Sequence, residues 1–418
     1  MNFDDVRLKG FSKNMKVQKA IDLAISNFKL FPEIDVALKD STIQNLILRE
    51  NVNAKRSSPP FDRSAVDGYA VKAEDTFSAS ESNPMLLKVI DSINIGVIPS
   101  KKIEKGSTIQ VTTGGVIPDG ANTVIMVEDT NKIDNDYIEV YTVLPPGKNV
   151  SKKGEDIKEN ELLFEAGHRF RSIDRGYLLS AGITEVKVTK SPKVAIIVTG
   201  DELVKPWQPI TPGKIAEVNS FNLFDLCKDE GWEPVVMGMV KDQEQDLREI
   251  IQKTINKFDI VLINAGTSVG KKDYVPVILN ELGTILFHGL SMRPGGPILC
   301  ANINNKVVFG IPGFPTASII AFRFVVIPII QSLMGIKSQK RQTTVPATIS
   351  RNVGSKVGRM DFLRVKIEKN ENKNNIAVPI SIGGSGILKN IVEADGFVII
   401  PEFSEGLKKG DIVEVILW

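Results

Sequence analysis

The chain has 418 residues, a length that exceeds one ordinary hydrophobic core and predicts two to four domains. It is 42% hydrophobic and 24% charged with a net charge of +2, which excludes a nucleic-acid-binding arm or an acidic tail. Two cysteines and two histidines exclude a disulfide framework and a zinc ribbon, so any metal needs oxygen ligands. The amino-terminal residues lack the apolar core of a secretory signal, and we expect a cytoplasmic protein.

The first half of the chain combines a helix with short strands. Residues 15–29 place apolar side chains on one helical stripe, and residues 85–143 alternate short strands with turns. The Pro-, Gly- and Lys-rich run 144–157 resembles a crossing between domains. We predict a discontinuous helical and mixed linker domain at 1–50 and 144–190, with a small β domain at 51–143 inserted between its two parts.

The second half predicts an α/β domain at 191–337 and a C-terminal β-barrel at 338–418, with a sandwich as the barrel's alternative. The α/β prediction rests on apolar strands alternating with helices, as in a doubly wound parallel sheet. A helix from Phe221 has Asn219 or Ser220 as its expected cap. The predicted strands are 193–198, 234–240, 258–264 and 306–311.

The apolar run 316–336 is nearly long enough to cross a bilayer. Arg323 lies near its middle and Pro328 interrupts it. A buried helix of a large domain gives the same pattern. Because the run directly follows α/β sequence, we expect a core helix and no membrane span.

Three loops follow predicted strands and carry Gly or Pro beside small hydroxyl residues. Since ligands of open parallel sheets bind outside the carboxyl ends of the strands, these loops predict a phosphate site formed by backbone N–H groups. A tight turn without a ligand uses the same residue types. The candidate phosphate-binding residues are Thr199, Gly200, Gly266, Thr267, Ser268, Gly270, Pro312 and Gly313.

Carboxylates lie beside these loops. Asp201, Glu202 and Asp273 follow strands of the predicted sheet, and Asp242 follows another. Acids beside a phosphate require a hard cation between them, and Mg²⁺ takes one or two carboxylates together with phosphate oxygens. We therefore expect Mg²⁺ beside these loops, with these carboxylates as its candidate ligands. For Asp242, and also for Asp273, a helix cap is the alternative.

The run "PPFDRSAVDGYAV" (59–71) resembles the proline-to-"SAMDGYA" signature of the molybdenum insertion proteins, which include bacterial MoeA and the gephyrin E domain. Further similar runs follow in order over nearly the whole chain. They are "TTGGVIPDGANTVIMVED" (112–129), "KKGEDI" (152–157), "TGDEL" (199–203), "GTSVGKKDY" (266–274), "MRPGGP" (292–297), "GIPGFP" (310–315) and "GRMDF" (358–362).

This resemblance implies a four-domain homodimer with dimerisation through the domain at 1–50 and 144–190. It also implies a molybdopterin-binding α/β domain and an active site shared between subunits. It implies adenylyl-molybdopterin and molybdate, or tungstate, as substrates. The implied reaction inserts the metal with Mg²⁺-dependent cleavage and release of AMP. No nucleic acid is implied as a partner.

The resemblance also implies roles for residues that match the family's motifs. The implied catalytic residues are Asp67, Thr113, Asp156 and Asp242, and the implied Mg²⁺ ligands are Glu202 and Asp273. The implied oxyanion-binding residues are Arg293, Ser318, Arg359, Arg364 and Ser385. From sequence alone, Asp67 also fits a turn residue before Gly68.

The chain departs from the family where the oxyanion is expected. Relatives carry a Lys-Pro-Gly-Lys run where this chain has "RPGG", so Arg293 keeps the first charge and Gly296 removes the second. Phe314 replaces the customary Asn, and Ala317 replaces a serine, with the hydroxyls of Thr316 and Ser318 beside it. Two hypotheses follow: an active molybdenumtransferase, which we favour because the acids are kept, or a non-catalytic binder or scaffold.

Overall fold

The computed structural model describes residues 14–134, 136–265, 274–336, 343–380 and 386–418. Within these residues the strands form three six-stranded sheets, one three-stranded sheet and several two-stranded pairs. The pairs are Val52–Asn53 with Leu162–Phe164, Arg63–Ser64 with Val150–Ser151, Leu203–Val204 with Ile215–Ala216, and Val353–Gly354 with Gly406–Leu407. The multidomain α/β and β fold expected from sequence is confirmed at this level.

The central sheet has four parallel strands and an antiparallel hairpin at one edge. The parallel strands are the predicted ones, and the hairpin is an addition that the sequence did not reveal. In spatial order the strands are Glu233–Val240, Lys193–Thr199, Ile260–Ala265, Lys306–Pro312, Leu299–Ile303 and Thr284–His288.

Helices cover both faces of this sheet, which explains its continuous apolar strands. Val194 and Ile196 join one core cluster and Ala195 and Ile197 join the other, as the alternation of side chains along a strand requires. Helices Val17–Asn27, Asn219–Asp229 and Pro315–Leu333 pack on the first face, and helices Glu244–Ile255 and Val275–Leu282 pack on the second. Each fully buried Val or Ile contributes about 1.5–3 kcal/mol.

The helix Pro315–Leu333 is the apolar segment that sequence length alone could not distinguish from a membrane span. In the fold, 72% of its apolar stretch is buried, which supports the core-helix interpretation. Its middle, Phe322–Val326, is π-helical, and the N–H of Ile327 donates to the carbonyl of Phe322. This widened turn precedes Pro328, which has no N–H to donate, so the helix continues past a residue that normally breaks it.

The amino-terminal half contains two separate sheets. A three-stranded sheet pairs segments that precede and follow the small β sheet in sequence: Glu33–Ala37, Glu185–Thr189 and Ile47–Leu48. The small β sheet contains, in spatial order, Thr123–Met126, Gly68–Val71, Ser107–Val111, Met85–Ile93, Tyr137–Val140 and Thr130–Lys132. Short helices lie at Ala73–Thr76, Val127–Asp129, Asp174–Ser180 and Lys389–Val392. The domain boundaries given above remain predictions.

The C-terminal strands close into a barrel, as expected. Met360–Lys369 pairs on one side with Asn375–Pro379 and on the other with Gly396–Ile400. Thr344–Ile349 and Ile412–Leu417 complete the ring. The short strand Met292–Arg293, from the α/β half, pairs in parallel with the start of Met360–Lys369. This pairing ties the barrel to the edge of the central domain.

A buried carboxylate organises the amino-terminal region. Asp174 has a 1% exposed side chain that accepts hydrogen bonds from Arg171 and lies 2.7 Å from Nε2 of His168. Burial raises the pKa of Asp174, but the hydrogen bonds from Arg171 and His168 outweigh it and hold the pKa below its usual range. A depressed folded pKa means that this stabilisation is present at neutral pH and is lost as pH falls through the folded value.

We predict that Asp174→Asn lowers the free energy of unfolding at pH 7 by about 1–3 kcal/mol. The amide carries no charge, and its NH₂ group would face N–H donors of Arg171. The deficit relative to wild type shrinks below pH of about 4, where the unfolded aspartate is protonated. Urea unfolding at several pH values measures this. Asp225→Asn, at an exposed position on another helix, is the matched control. Equal stability of the Asp174 variant and wild type at pH 7 contradicts the account.

Candidate functional site

The carboxyl ends of three parallel strands open into one pocket of about 820 Å³. Thr199, Asn264 and Pro312 mark those ends, and the turn 290–297 and the barrel complete the wall. Seven of the predicted site residues line this pocket: Thr199, Glu202, Pro312, Gly313, Arg293, Arg359 and Arg364. The structure thus brings some of the residues predicted for phosphate, metal and oxyanion binding to one pocket.

Three arginines form the basic side of the pocket. Arg359 donates from Nε and a terminal nitrogen to the carboxylate of Asp361, at 2.7 and 2.9 Å, and this ion pair fixes its orientation. Arg364 is only 4% exposed. Burial lowers the pKa of Arg364, and the positive charge of Arg293 lowers it further. The guanidinium groups of Arg293 and Arg364 therefore repel each other, and an anion between them relieves that repulsion.

Two asparagines connect the strand ends on the opposite side. Asn264 donates from Nδ2 to the carbonyl of Pro312, at 2.9 Å, so its Oδ1 faces Asn219. Asn219 donates to that Oδ1 at 2.9 Å and to the carbonyl of Gly313 at 2.6 Å. The network holds two loops at a fixed separation. Neither asparagine was predicted to serve the site, because each acts through partners at least 45 residues away.

The helix that begins at Asn219 has a different start from the predicted one. The carboxylate of Glu217 accepts from the N–H and the hydroxyl of Ser220, so neither Asn219 nor Ser220 is the cap. Glu217 is 5% exposed and lines the pocket. Sequence reasoning missed this carboxylate. Its position two residues before Asn219, after a long polar loop, was the available signal.

Asp242 supports the pocket from behind. It accepts a hydrogen bond from the hydroxyl of Thr199, and its N–H lies 3.3 Å from Oδ1 of Asp201. The following helix runs Glu244–Ile255 with Gln243 at its N-cap, so the alternative of Asp242 as that cap is wrong. Asp242 does not line the pocket itself. Its contact orients Thr199, which does.

Asp67, Thr113 and Asp156 lie on the surface away from the pocket lining of the single chain. Asp67 accepts from the backbone N–H and the hydroxyl of Thr113, at 2.6 and 2.9 Å, and these bonds lower the pKa of Asp67. Asp67 and Thr113 thus form a pair, and Asp156 is separate. The next residue, Gly68, has no room for a side chain, because a Cβ there would lie only 1.8 Å from the carbonyl oxygen of Ile125.

The hydroxyls considered as replacements beside Ala317 are both turned away. Thr316 is fully buried and donates to the carbonyl of Ile387 at 3.1 Å. Ser318 is 1% exposed, 3.5 Å from Nδ2 of Asn264, and is not among the lining residues. Ala317 itself lines the pocket. Among these three positions the pocket wall is therefore apolar.

Gly296 occupies a position that does not readily accept a side chain. A Cβ there would lie 2.8 Å from the carbonyl oxygen of Met292 and 3.1 Å from that of Leu290. The N–H of Leu290 also donates to the carbonyl of Gly296, at 2.7 Å, which closes a tight turn. Replacing the missing lysine here requires the backbone to move. The local fold thus disfavours any charged side chain at this position.

The acidic ligands predicted for magnesium are only partly described. Glu202 lines the pocket, with its carboxylate folded against Gly200. Residues 266–273, which include Gly266, Thr267, Ser268, Gly270 and Asp273, and residues 381–385, which include Ser385, lie outside the described part of the chain. Within the described part, no group of three His, Cys, Asp or Glu side chains is placed to hold a metal by itself. One pocket carboxylate fits a Mg²⁺ that takes its remaining ligands from phosphate and water.

Comparisons with known proteins agree with this architecture. Three family descriptions match in succession: the MoeA N-terminal region (domain I and II) at 15–182, a probable molybdopterin binding domain at 195–332, and the MoeA C-terminal region (domain IV) at 346–418. A molybdopterin molybdenumtransferase of Bacillus subtilis is 31% identical over 386 residues, covering 91% of this chain and 89% of the relative.

Two archaeal proteins are also similar. A putative molybdopterin biosynthesis protein of Methanocaldococcus jannaschii is 36% identical over 382 residues, covering 89% of each chain. A crystal structure of the molybdopterin biosynthesis MoeA protein from Pyrococcus horikoshii OT3 matches with a TM-score of 0.80 and 33% identity, over 97% of this chain and 100% of that one. The fold and pocket define a molybdenum cofactor biosynthesis protein. The chain belongs to the MoeA family of molybdopterin molybdenumtransferases, as the sequence resemblance implied.

Proposed function

We propose that this protein inserts molybdate, or tungstate, into adenylyl-molybdopterin, with Mg²⁺-dependent cleavage of the pyrophosphate and release of AMP. The observation that carries the proposal is one pocket with a carboxylate at the strand ends and three arginines opposite. A nucleotide ester and an oxyanion need these two environments side by side. The relative that is named a molybdopterin molybdenumtransferase supports the transfer of molybdenum to molybdopterin.

The oxyanion is assigned to the arginine side. Burial and the positive charge of Arg293 lower the pKa of Arg364, and Arg359 forms an ion pair with Asp361. Guanidinium groups bind tetrahedral oxyanions with two parallel hydrogen bonds, which a lysine does not do. Arg293 and Arg364 are therefore proposed to bind the oxyanion without a cation at position 296. Ser385 remains a proposed further ligand.

Magnesium is assigned to the strand ends, with Glu202 and Asp273 as its proposed ligands. When bound there, it would neutralise the phosphate charge that carboxylates alone repel. Thr199, oriented by Asp242, and the backbone at Pro312 and Gly313 are proposed to position the phosphates. Gly200 follows Thr199 and is proposed to assist them. Residues 266–270 are proposed to contribute further phosphate contacts.

The exposed pair Asp67 and Thr113, together with Asp156, is assigned to the pocket of a second subunit. Within one chain these residues do not reach the lining, although their motifs match the family's functional residues. A homodimer in which the small β domain of one copy faces the α/β domain of the other accounts for this. The alternative function, a non-catalytic binder or scaffold, is favoured only by Gly296, Phe314 and Ala317.

We predict that Glu202→Gln lowers Mg²⁺-dependent AMP release from adenylyl-molybdopterin and molybdate by about 100-fold, because loss of even an outer-shell partner of a metal costs about 10–100-fold. A coupled AMP assay at saturating substrate measures this. Glu233→Gln is the matched control, since Glu233 lies at the amino end of a strand of the same sheet, away from the carboxyl ends that open into the pocket. No AMP release by wild type with either oxyanion supports the binder, and an unchanged Glu202 variant removes the metal assignment.

Phe314 gives the pocket an aromatic wall. Its side chain is 62% exposed although it lines the pocket, and it is held between Gly313 and Pro315 at the start of the long helix. Atoms of its ring would lie 3.2 and 3.5 Å from a Cβ at Gly386, so it stands close to the barrel side. An exposed ring on a stiff segment is suited to stack on a flat heterocycle. We assign it to the pterin or the adenine.

We predict that Phe314→Ala weakens binding of 6-carboxypterin by about 5- to 150-fold, the range expected from losing one stacking contact. Stacking also quenches pterin fluorescence, so titration of the fluorescent probe measures both effects. Phe314→Tyr keeps the ring and is expected to bind like wild type. Phe403→Ala, which removes an exposed ring outside the pocket, is the control. Full affinity and full quenching with the Phe314→Ala variant contradict the stacking role.

A further inference from the structure

Arg323 is a charged residue inside the apolar helix, and the pocket does not use it directly. It lies in the π-helical segment, and its lining neighbour on the same helix, Ala317, is six residues earlier. Its guanidinium donates to the carbonyl of Leu417 at 2.6 Å, in the last strand of the barrel. Arg323 therefore joins the central domain to the barrel.

The guanidinium also lies against aromatic rings. Its central carbon is 5.1 Å from the ring centre of Trp418, 5.8 Å from that of Phe397 and 5.9 Å from that of Phe324. The Nε atom is buried and has no hydrogen-bond partner in the described structure. Burial lowers the pKa of Arg323. A charge kept in this environment, with one donor unused, is costly for stability alone.

A short chain of contacts leads from this cluster to the pocket. Phe397 is the cross-strand partner of Arg364, which lines the pocket. The ring of Phe324, the next residue after Arg323, lies 4.4 Å from the ring of Phe362, which also lines the pocket. The strand Met360–Lys369 thus presents Arg364 to the pocket. The same strand contacts two of the rings around Arg323, because its Phe362 packs on Phe324 and its Arg364 lies opposite Phe397.

We propose that Arg323 is a positioning residue: through Leu417, Phe397 and Phe324 it sets the barrel at the distance at which Arg364 meets Arg293 across the pocket. This inference rests on the proposed oxyanion site. A planar guanidinium is required because it stacks on rings and donates in its plane at the same time. The widened helical turn delivers that side chain toward the barrel.

The same helix offers a matched comparison. Arg49 donates to the carbonyl of Met334, just after the end of the helix, at 3.3 Å. Arg49 belongs to the amino-terminal region and has no contact with the barrel strands among its described bonds. Arg49→Met therefore removes an arginine from the helix surroundings without affecting the proposed coupling.

The test measures binding of inorganic molybdate to the full-length protein by calorimetry at 20 °C. Arg323→Met is expected to weaken binding by about tenfold or more, because small displacements of binding groups cost that much. Arg323→Lys keeps the charge but not the plane and is expected to lie between Arg323→Met and wild type. Arg49→Met is expected to bind like wild type. Arg364→Met, which removes a proposed ligand, defines complete loss.

Circular dichroism and thermal melts show which variants are folded at 20 °C, and Arg323→Lys decides the matter if Arg323→Met does not fold. Weak binding by folded Arg323 variants together with normal binding by Arg49→Met supports the positioning role. Normal binding by both Arg323 variants, with binding lost in Arg364→Met, overturns the positioning role alone. Normal binding by Arg364→Met, or none by wild type, overturns the oxyanion site and this inference with it.

Discussion

Burial of the helix Pro315–Leu333 between the central sheet and the barrel is the constraint on which the site depends. One face of the sheet, this helix and the barrel residues Phe362, Phe397 and Ile416 belong to a single continuous core. The two halves of the pocket are therefore held together by apolar packing. A membrane-like apolar sequence is the consequence of being covered on nearly all sides.

The pocket gains its chemistry from an unequal distribution of charge. Carboxylates at Glu202 and Glu217 lie on the sheet side, and the arginines lie on the side of the barrel and the turn 290–297. Such a site attracts a ligand that has an anionic end and a metal-bridged end more strongly than it attracts a ligand of uniform charge. At Gly296 the close backbone packing leaves no room for the cation that the resemblance led us to expect there. Arg364, buried and beside Arg293, retains positive charge there.

Much of the architecture was predictable because its signals are local. Apolar runs bounded by Gly and Pro marked the four parallel strands, and parallel strands bring their carboxyl ends to one edge, so Thr199 and Pro312 were expected to be neighbours. Asn219 and Asn264 were not predicted to serve the site, because their partners lie at least 45 residues away and are brought near only by the fold. Glu217 was missed although its partner Ser220 is only three residues away. The hairpin of Thr284–His288 and Leu299–Ile303 was not predicted, because the polar and apolar residues in its strands show no clear periodicity. Asp67 and Thr113 were predicted from their motif, but within one chain they lie outside the pocket lining, which is why we assign them to the pocket of a second subunit.

The account's central claim is that the arginines of the barrel and the turn bind the oxyanion opposite the strand ends. A crystal of the full-length protein soaked in tungstate tests it most directly, because tungsten gives a strong anomalous signal. The account predicts a peak between Arg293 and Arg364, inside the pocket that Thr199 and Pro312 close on the other side. A peak at another surface, with no anomalous signal in the pocket, would contradict it.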